Sequence, residues 1–198
     1  MNHILGIKIL KNRYFTLRHG ESTSNVLRIL VSHFENGGND FGLTDFGKNH
    51  IKEVIQSQNI LDDKTIIYSS DFLRTKETAE ITREVLNAPE IHLELRLRER
   101  YFGDLEKMDY ENYKLVWAKD SDDNNQKEYK VENIIEVQDR TTALIAELEE
   151  KYSDQKILLV SHGDPLRILE SSLRKEEPFK HTIVTMSHKG ELRELILK

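Results

Sequence analysis

Arg13-Tyr14-Phe15-Thr16-Leu17 runs directly into Arg18-His19-Gly20-Glu21-Ser22. A short stretch of β-forming residues ending in a polar, glycine-containing corner reads as a buried strand presenting functional groups at its carboxyl end. The pattern recurs where Lys156-Ile157-Leu158-Leu159-Val160-Ser161 is followed by His162-Gly163. Both histidines therefore fall at strand ends, and on neighbouring parallel strands they would face one cleft. Glycine after each histidine permits a tight turn and close approach of backbone N–H groups to an anion. Ser22 and Asn25 add neutral donors nearby.

Working outward, Thr65-Ile66-Ile67-Tyr68-Ser69, Ile91-His92-Leu93-Glu94-Leu95, Thr182-Ile183-Val184-Thr185-Met186 and Leu192 to Leu197 also have strand character. Helical patterns lie between. Thr44 is placed to cap a helix through Gly47 to Gln58, Phe72 to Leu86 carries an apolar face, and Val131 to Lys151 shows a 3.6-residue stripe through Val137, Leu144, Ile145 and Leu148. Alternating strands and helices predict an α/β sandwich around a mainly parallel sheet. No repeat or Pro/Gly-rich linker divides the 198 residues, so one domain spanning 1–198 is expected. Lys107 to Lys130, rich in Asp, Asn, Lys and Tyr with the chain's one tryptophan, Trp117, fits this alternation poorly. It reads either as an insertion over one end of the sheet, where substrate choice is often set, or as a solvated surface helix.

Composition removes several classes of function. The absence of cysteine excludes disulfides, thiol catalysis and zinc–thiolate sites. A formal net charge of −6 argues against nucleic acid as a partner, so an anionic substrate needs a local basic pocket. No apolar run approaches the length of a membrane span. The N-terminal residues lack the pattern of a secretory signal, and a cytoplasmic location is expected.

Two further corners follow strand-like runs. Ser69-Ser70-Asp71-Phe72-Leu73-Arg74 leads into a helix, and Leu97-Arg98-Glu99-Arg100-Tyr101-Phe102-Gly103 follows the third strand. Four polar corners at strand ends suggest a constructed anion site. On these residues, together with Gly42-Leu43-Thr44, Gly47 and Ser161-His162-Gly163, the chain resembles the histidine phosphatase superfamily, the phosphoglycerate mutase-like family, over nearly its whole length.

The resemblance implies a phosphoglycerate mutase-like three-layer α/β/α sandwich. It also implies phosphoryl transfer through a phosphohistidine, with no cofactor and a small phosphomonoester as substrate. His19 would attack phosphorus, with Arg18, Arg74 and His162 around the phosphate oxygens and Ser22, Asn25 and Gly163 as further phosphate contacts. Glu99 would protonate the leaving alkoxide and then activate water. Physical chemistry is consistent with these roles. A neutral imidazole is available at cytosolic pH without a separate base. Guanidinium forks match phosphate oxygens, and fixed positive charge is what the transition state needs. Arg98 and Arg100 would oppose protonation of Glu99 unless both are turned away into salt bridges.

Taken singly, most of these residues have plainer readings. His3, His33, His50, His92, His181 and His188 are read as surface or core residues, although His33 lies close enough in sequence to reach the cleft mouth. Glu21 is expected to orient its loop, and Ser22 has a helix cap as its alternative role. Asp62-Asp63 and Asp120 to Asp123 read as turn and surface charge, and metal independence is predicted. Only 63 positions separate Glu99 from His162, which is compact beside the dedicated mutases of that family with their enclosing insertion, so the resemblance favours hydrolysis over transfer to a second substrate hydroxyl, the mutase alternative. Leu105-Glu106-Lys107 and Val131-Glu132-Asn133 depart from the family's usual Trp-Glu-Gly and Gly-Glu-Ser strings. Asp164 places a negative charge beside the site, either to repel multiply phosphorylated ligands or to order a positive group. A phospho-ligand binding protein without catalysis is the alternative from another class, disfavoured because Arg18, His19, Arg74, Glu99 and His162 are all present.

Overall fold

The computed structural model describes residues 1–198. Its centre is a five-stranded sheet built from β1 (Arg13–Arg18), β2 (Ile66–Ser69), β3 (Ile91–Leu93), β4 (Lys156–Ser161) and β5 (Leu192–Leu195), in the order β3-β2-β4-β1-β5. Four strands are parallel, and β5 runs antiparallel along the outer edge of β1. The helices are α1 (Thr23–Val26), α2 (Asp45–Ser57), α3 (Leu73–Leu86), α4 (Tyr113–Asp122), α5 (Ile134–Lys151) and α6 (Gly163–Leu173).

The period of two along β1 and β4 generates the layers. Tyr14, Ile157 and Leu159 point to the face covered by Leu144, Ile145 and Leu148 of α5 and Leu169 and Leu173 of α6. Phe15, Leu17, Leu158 and Val160 point to the opposite face, against Ile51 and Ile55 of α2 and Ala79 of α3. Because both faces are covered, the middle of β4 is apolar without alternation. The result is the expected three-layer sandwich around a mainly parallel sheet. In its register Arg18 lies opposite Ser161, so His19 and His162 leave adjacent parallel strands at the same level.

Several elements differ from expectation. Thr182 to Met186 forms no strand. Pro178–Ile183 is instead a run of 3-10 turns, with Ile183 exposed. β-branched composition does not prevail here because β5 occupies the free edge of β1. β3 stops at Leu93 and turns into a 3-10 segment, Leu95–Leu97. The helix expected from Val131 begins at Ile134, where Asn133 caps it. Asn133 Oδ1 accepts from the Glu136 N–H at 2.9 Å and Glu136 Oε2 accepts from the Asn133 N–H at 3.0 Å. The departure at Val131-Glu132-Asn133 thus still supplies a good helix start.

The segment Lys107 to Lys130 is exposed along much of its length but buries one side of α4. Val116 of α4 packs with Leu30, Phe102, Leu105 and Val131 in a separate apolar cluster, which Tyr110 and Tyr113 adjoin. Each such buried aliphatic side chain contributes about 1.5–3 kcal/mol. This cluster holds α4 over the carboxyl end of the sheet.

Candidate active site

His19 follows β1, and its N–H donates to the Ser161 carbonyl of β4 at 3.0 Å. Its ring is almost fully buried. Nδ1 lies 2.7 Å from the Gly20 carbonyl, which can only accept, so the ring proton sits on Nδ1 and Nε2 carries the lone pair. Arg74, at the start of α3, donates from Nε to that Nε2 at 3.2 Å and from Nη2 to the Val31 carbonyl at 2.8 Å. Burial, reinforced by the charges of Arg74 and Arg18, holds the His19 pKa well below its usual value. The imidazole is therefore neutral at pH 7.

His162 follows β4 and packs edge-on against His19, with ring centroids 5.3 Å apart. Its Nε2 is 3.0 Å from the Ser70 hydroxyl, and burial together with Arg74 keeps it neutral. The hydroxyl can donate or accept there; when it donates to Nε2, the His162 proton lies on Nδ1, on the side of Glu99. Arg18 is anchored through Nη1 on the Ser187 carbonyl at 2.7 Å. Three buried nitrogens at these residues meet no protein partner: Arg18 Nε, Arg74 Nη1 and His162 Nδ1. Buried donors left unmatched are costly unless something accepts from them. The combination of two guanidinium groups and an imidazole N–H around a lone-pair nitrogen suits a tetrahedral oxyanion.

Glu99 completes the group. Its Oε2 lies 4.0 Å from His162 Nδ1, and its Oε1 accepts from the Arg100 N–H at 3.0 Å. Burial, helped by the charge of Asp164 and opposed by Arg74, pushes its carboxyl up to about 7. The flanking arginines are turned away, as the acid role requires. Arg98 grips Asp71 through two bonds of 2.8 and 2.6 Å, and Arg100 grips Asp120 through two of 2.6 and 2.8 Å.

Not every expected phosphate contact lies at the cleft. Arg18, His19, Asn25, Arg74 and Glu99 line a cavity of about 330 Å³. His162, fully buried beside His19, is not on its wall, and neither is Ser22. Its hydroxyl is fully buried and engaged with Ser24 Oγ and Asn25 Oδ1, so it positions Asn25. Gly163 also lies off the wall. A Cβ there would sit 2.9 Å from Met186 Sδ and 3.2 Å from Arg18 Cζ, so the glycine makes room for the arginine. Gly20 likewise admits α2, since its Cβ would meet the Gly47 carbonyl at 2.9 Å. In both cases the requirement is side-chain space and not an unusual backbone turn.

Asp164 lies off the cavity wall, although its charge helps to raise Glu99. It is buried and accepts from Trp117 Nε1 at 3.0 Å and from Arg167 Nη2 at 2.8 Å, with Arg100 Nη1 at 3.5 Å. It ties α6 to α4. His33 stacks edge-on with Tyr101 in an adjacent groove of about 630 Å³, which shares Glu99 with the cavity. Glu21 accepts from the Thr44 hydroxyl at 3.0 Å and so orients its loop, as expected.

The cavity wall contains residues that sequence reasoning missed: Ile29, Val31, Met186 and Lys189, together with Tyr110 and Tyr113 of the covering segment. Only the isolated Trp117 gave a local signal, as a large aromatic residue in a polar stretch. No group of three or more His, Asp or Glu residues suited to a metal ion is present, and no helix is long and apolar enough to cross a membrane.

Comparisons with known proteins identify the fold and the family. The chain is 27% identical over 180 residues to phosphoglycerate mutase-like protein 4 of Arabidopsis thaliana, covering 86% of this chain and 76% of the relative. It is 31% identical over 166 residues to a probable phosphoglycerate mutase, GpmB, of Citrobacter koseri, covering 80% and 73%. Among solved structures, a phosphoserine phosphatase from Entamoeba histolytica in complex with phosphoserine superposes with a TM-score of 0.75, at 24% identity and with 92% and 89% of the two chains covered. The model of the histidine phosphatase superfamily (branch 1) matches residues 14–196. A match of that extent, on a site of this construction, means that the chain belongs to that superfamily.

Proposed function

We propose that the protein, acting as one domain with residues 107–130 as its cap, hydrolyses small phosphomonoesters through a phosphohistidine formed on His19 Nε2. The observation that carries this reading is Arg74 Nε set 3.2 Å from the unprotonated nitrogen of His19, with three further buried nitrogens, on Arg18, Arg74 and His162, left without protein partners. The Nε2 lone pair attacks phosphorus as the bond to the ester oxygen breaks, and the Glu99 carboxyl gives its proton to the departing alkoxide. Water then attacks the phosphohistidine while the Glu99 carboxylate takes its proton. The P–N bond breaks, the electron pair returns to Nε2, and phosphate leaves. Arg18, Arg74 and His162 Nδ1 hold the phosphoryl oxygens throughout. The names of the phosphatase among the solved structures and of the mutase-like relatives are compatible with this chemistry. The test is a panel of phosphomonoesters scored for both free phosphate and isomerised product. Free phosphate alone supports the hydrolase, and isomerised phosphoglycerate overturns it in favour of the mutase.

Glu99 gives the reading a pH signature. The carboxyl must enter protonated and His19 must enter neutral. The value of about 7 for Glu99 places the alkaline fall of kcat/KM near pH 7, while the depressed His19 sets its own limb below the usual histidine range. Glu99→Gln should lower kcat/KM for an alkyl phosphate by about 10²–10⁴-fold and remove the alkaline limb. An unchanged limb would show that another group titrates there. Metal independence has its own check: kcat should be the same with and without a strong chelator. Loss of activity that magnesium restores would contradict it.

A further inference from the structure

Beyond the phosphate cradle, the cavity wall is largely apolar, and most of its polar atoms are matched within the protein. Ile29, Val31 and Met186 line its volume of about 330 Å³ together with Tyr110, Tyr113 and Trp117. Trp117 directs Nε1 to Asp164, and its ring lies between the Arg167 guanidinium, 4.4 Å from the ring centroid, and the stacked Tyr113 ring at 5.5 Å. Tyr113 is in turn fixed edge-on against Phe102 at 4.6 Å. The Tyr110 hydroxyl accepts from Arg28 Nη1 at 2.9 Å, and Ser24 Oγ and Asn25 Oδ1 are both engaged with Ser22. Lys189, the cation on the wall besides Arg18 and Arg74, has its ammonium 3.4 Å from Glu21 Oε2. This leaves the Tyr113 hydroxyl and the Asn25 amide nitrogen as polar groups without protein partners.

From this arrangement we infer that the leaving group is a flat, apolar alcohol such as an arylmethanol, and that the site discriminates against phosphorylated polyols and hydroxy acids. The inference rests on the phosphatase reading above and specifies its substrate class. A ring entering the cavity gains apolar and aromatic contact and brings no hydroxyl that needs a partner. A glycerol moiety would exchange water for walls that offer only the Tyr113 hydroxyl and the Asn25 amide nitrogen, a penalty paid per hydroxyl left unmatched. A carboxylate would have to compete with Glu21 for Lys189. The aromatic side chains are held by their own contacts, so this preference is built in before any ligand arrives.

The test compares benzyl phosphate with glycerol 3-phosphate and 3-phosphoglycerate, all esters of alkyl alcohols, so that leaving-group reactivity does not dominate. Wild-type kcat/KM should favour benzyl phosphate by at least about tenfold over both. Ile29→Lys, which places a cation on the apolar wall, should reduce the benzyl to phosphoglycerate ratio by a further factor of about ten. Should that variant not fold, Met186→Ala should reduce the same ratio by removing ring contact. A wild-type ratio below tenfold with His19-dependent turnover overturns the substrate class alone, as does a ratio that neither variant moves. Absence of phosphate release from all three esters, with no acid-labile phosphate on His19, overturns the phosphatase reading and this inference with it.

Discussion

His19→Ala should abolish turnover, by about 10⁴-fold or more, while leaving the fold intact. The size of the effect follows from the arrangement around Nε2. Arg74, Arg18 and His162 supply charge and donors, but none of them can form the covalent intermediate. The guanidinium groups remain protonated and His162 turns Nε2 toward Ser70. Removing the imidazole therefore removes the only nitrogen that the Gly20 carbonyl holds in the attacking tautomer. A water molecule admitted in its place would meet an electrophile between two positive charges, but Glu99, which must be protonated to serve the departing alkoxide, could not at the same time act as its base. Stability should be little affected, because the neutral ring gives up just two hydrogen bonds and the Arg74 side chain keeps its bond to the Val31 carbonyl. Two measurements check this: phosphate release at saturating substrate, and labelling with a ³²P-phosphomonoester followed by acid and alkali quench. The wild type should carry label that acid releases and alkali spares, as a phosphoramidate requires, and His19→Ala should carry none. Retention of such label on the variant would move the nucleophile to another residue.

The parts of the site legible in the sequence are those in which local pattern and chemistry coincide. The apolar run of β4 ends at a Ser-His-Gly corner because the sheet is covered on both sides and ligands meet strands at their carboxyl ends. Arg74 and Glu99 could be placed because each follows a recognisable strand. The cavity wall is different. Ile29, Met186 and Lys189 come from distant parts of the chain, and their meeting is determined by how α4 packs on Leu30, Phe102 and Val131, which no local periodicity records. Helix α6 does carry helical spacing, with Asp164, Arg167, Glu170 and Ser171 set against Leu166, Leu169 and Leu173, but the first of these polar residues read as part of the His162-Gly163 corner. Asp120 and Asp164 resembled surface or pocket charge because partners distant in sequence, Arg100 for both and Trp117 for Asp164, are not visible locally. Thr182 to Met186 shows the opposite error, strand-forming composition with no sheet edge available to it.

Asp120→Ala should destabilise the protein by about 3–5 kcal/mol, the usual consequence of leaving a buried charge without its partner. Arg100 and Asp120 are both fully inaccessible, and they are joined by two bonds of 2.6 and 2.8 Å. Around them Gln126 Nε2 donates to Asp120 at 3.0 Å, and Asp164 links Arg100, Arg167 and Trp117. Burial raises the Asp164 pKa, but Arg167 and Arg100 outweigh it and hold that carboxyl below its usual value. The stabilisation from Asp164 is therefore complete above the ordinary aspartate range and is lost as the pH falls through its depressed pKa. In a chain of this length the loss at Asp120 corresponds to a fall in Tm of roughly 6–20 °C, measurable by calorimetry or by the urea midpoint. Removing the charged exposed end of the Lys114–Glu111 pair, by contrast, should change stability by less than about 1 kcal/mol. The double variant Arg100→Met, Asp120→Leu distinguishes the origin of the effect. If the cost is that of an orphaned guanidinium, replacing both charges with apolar groups recovers most of the stability. If the pair instead sets the position of α4, stability returns while KM stays high, because Trp117 and Tyr113 are no longer held against the cavity by the bond from Arg100 to the helix that carries them.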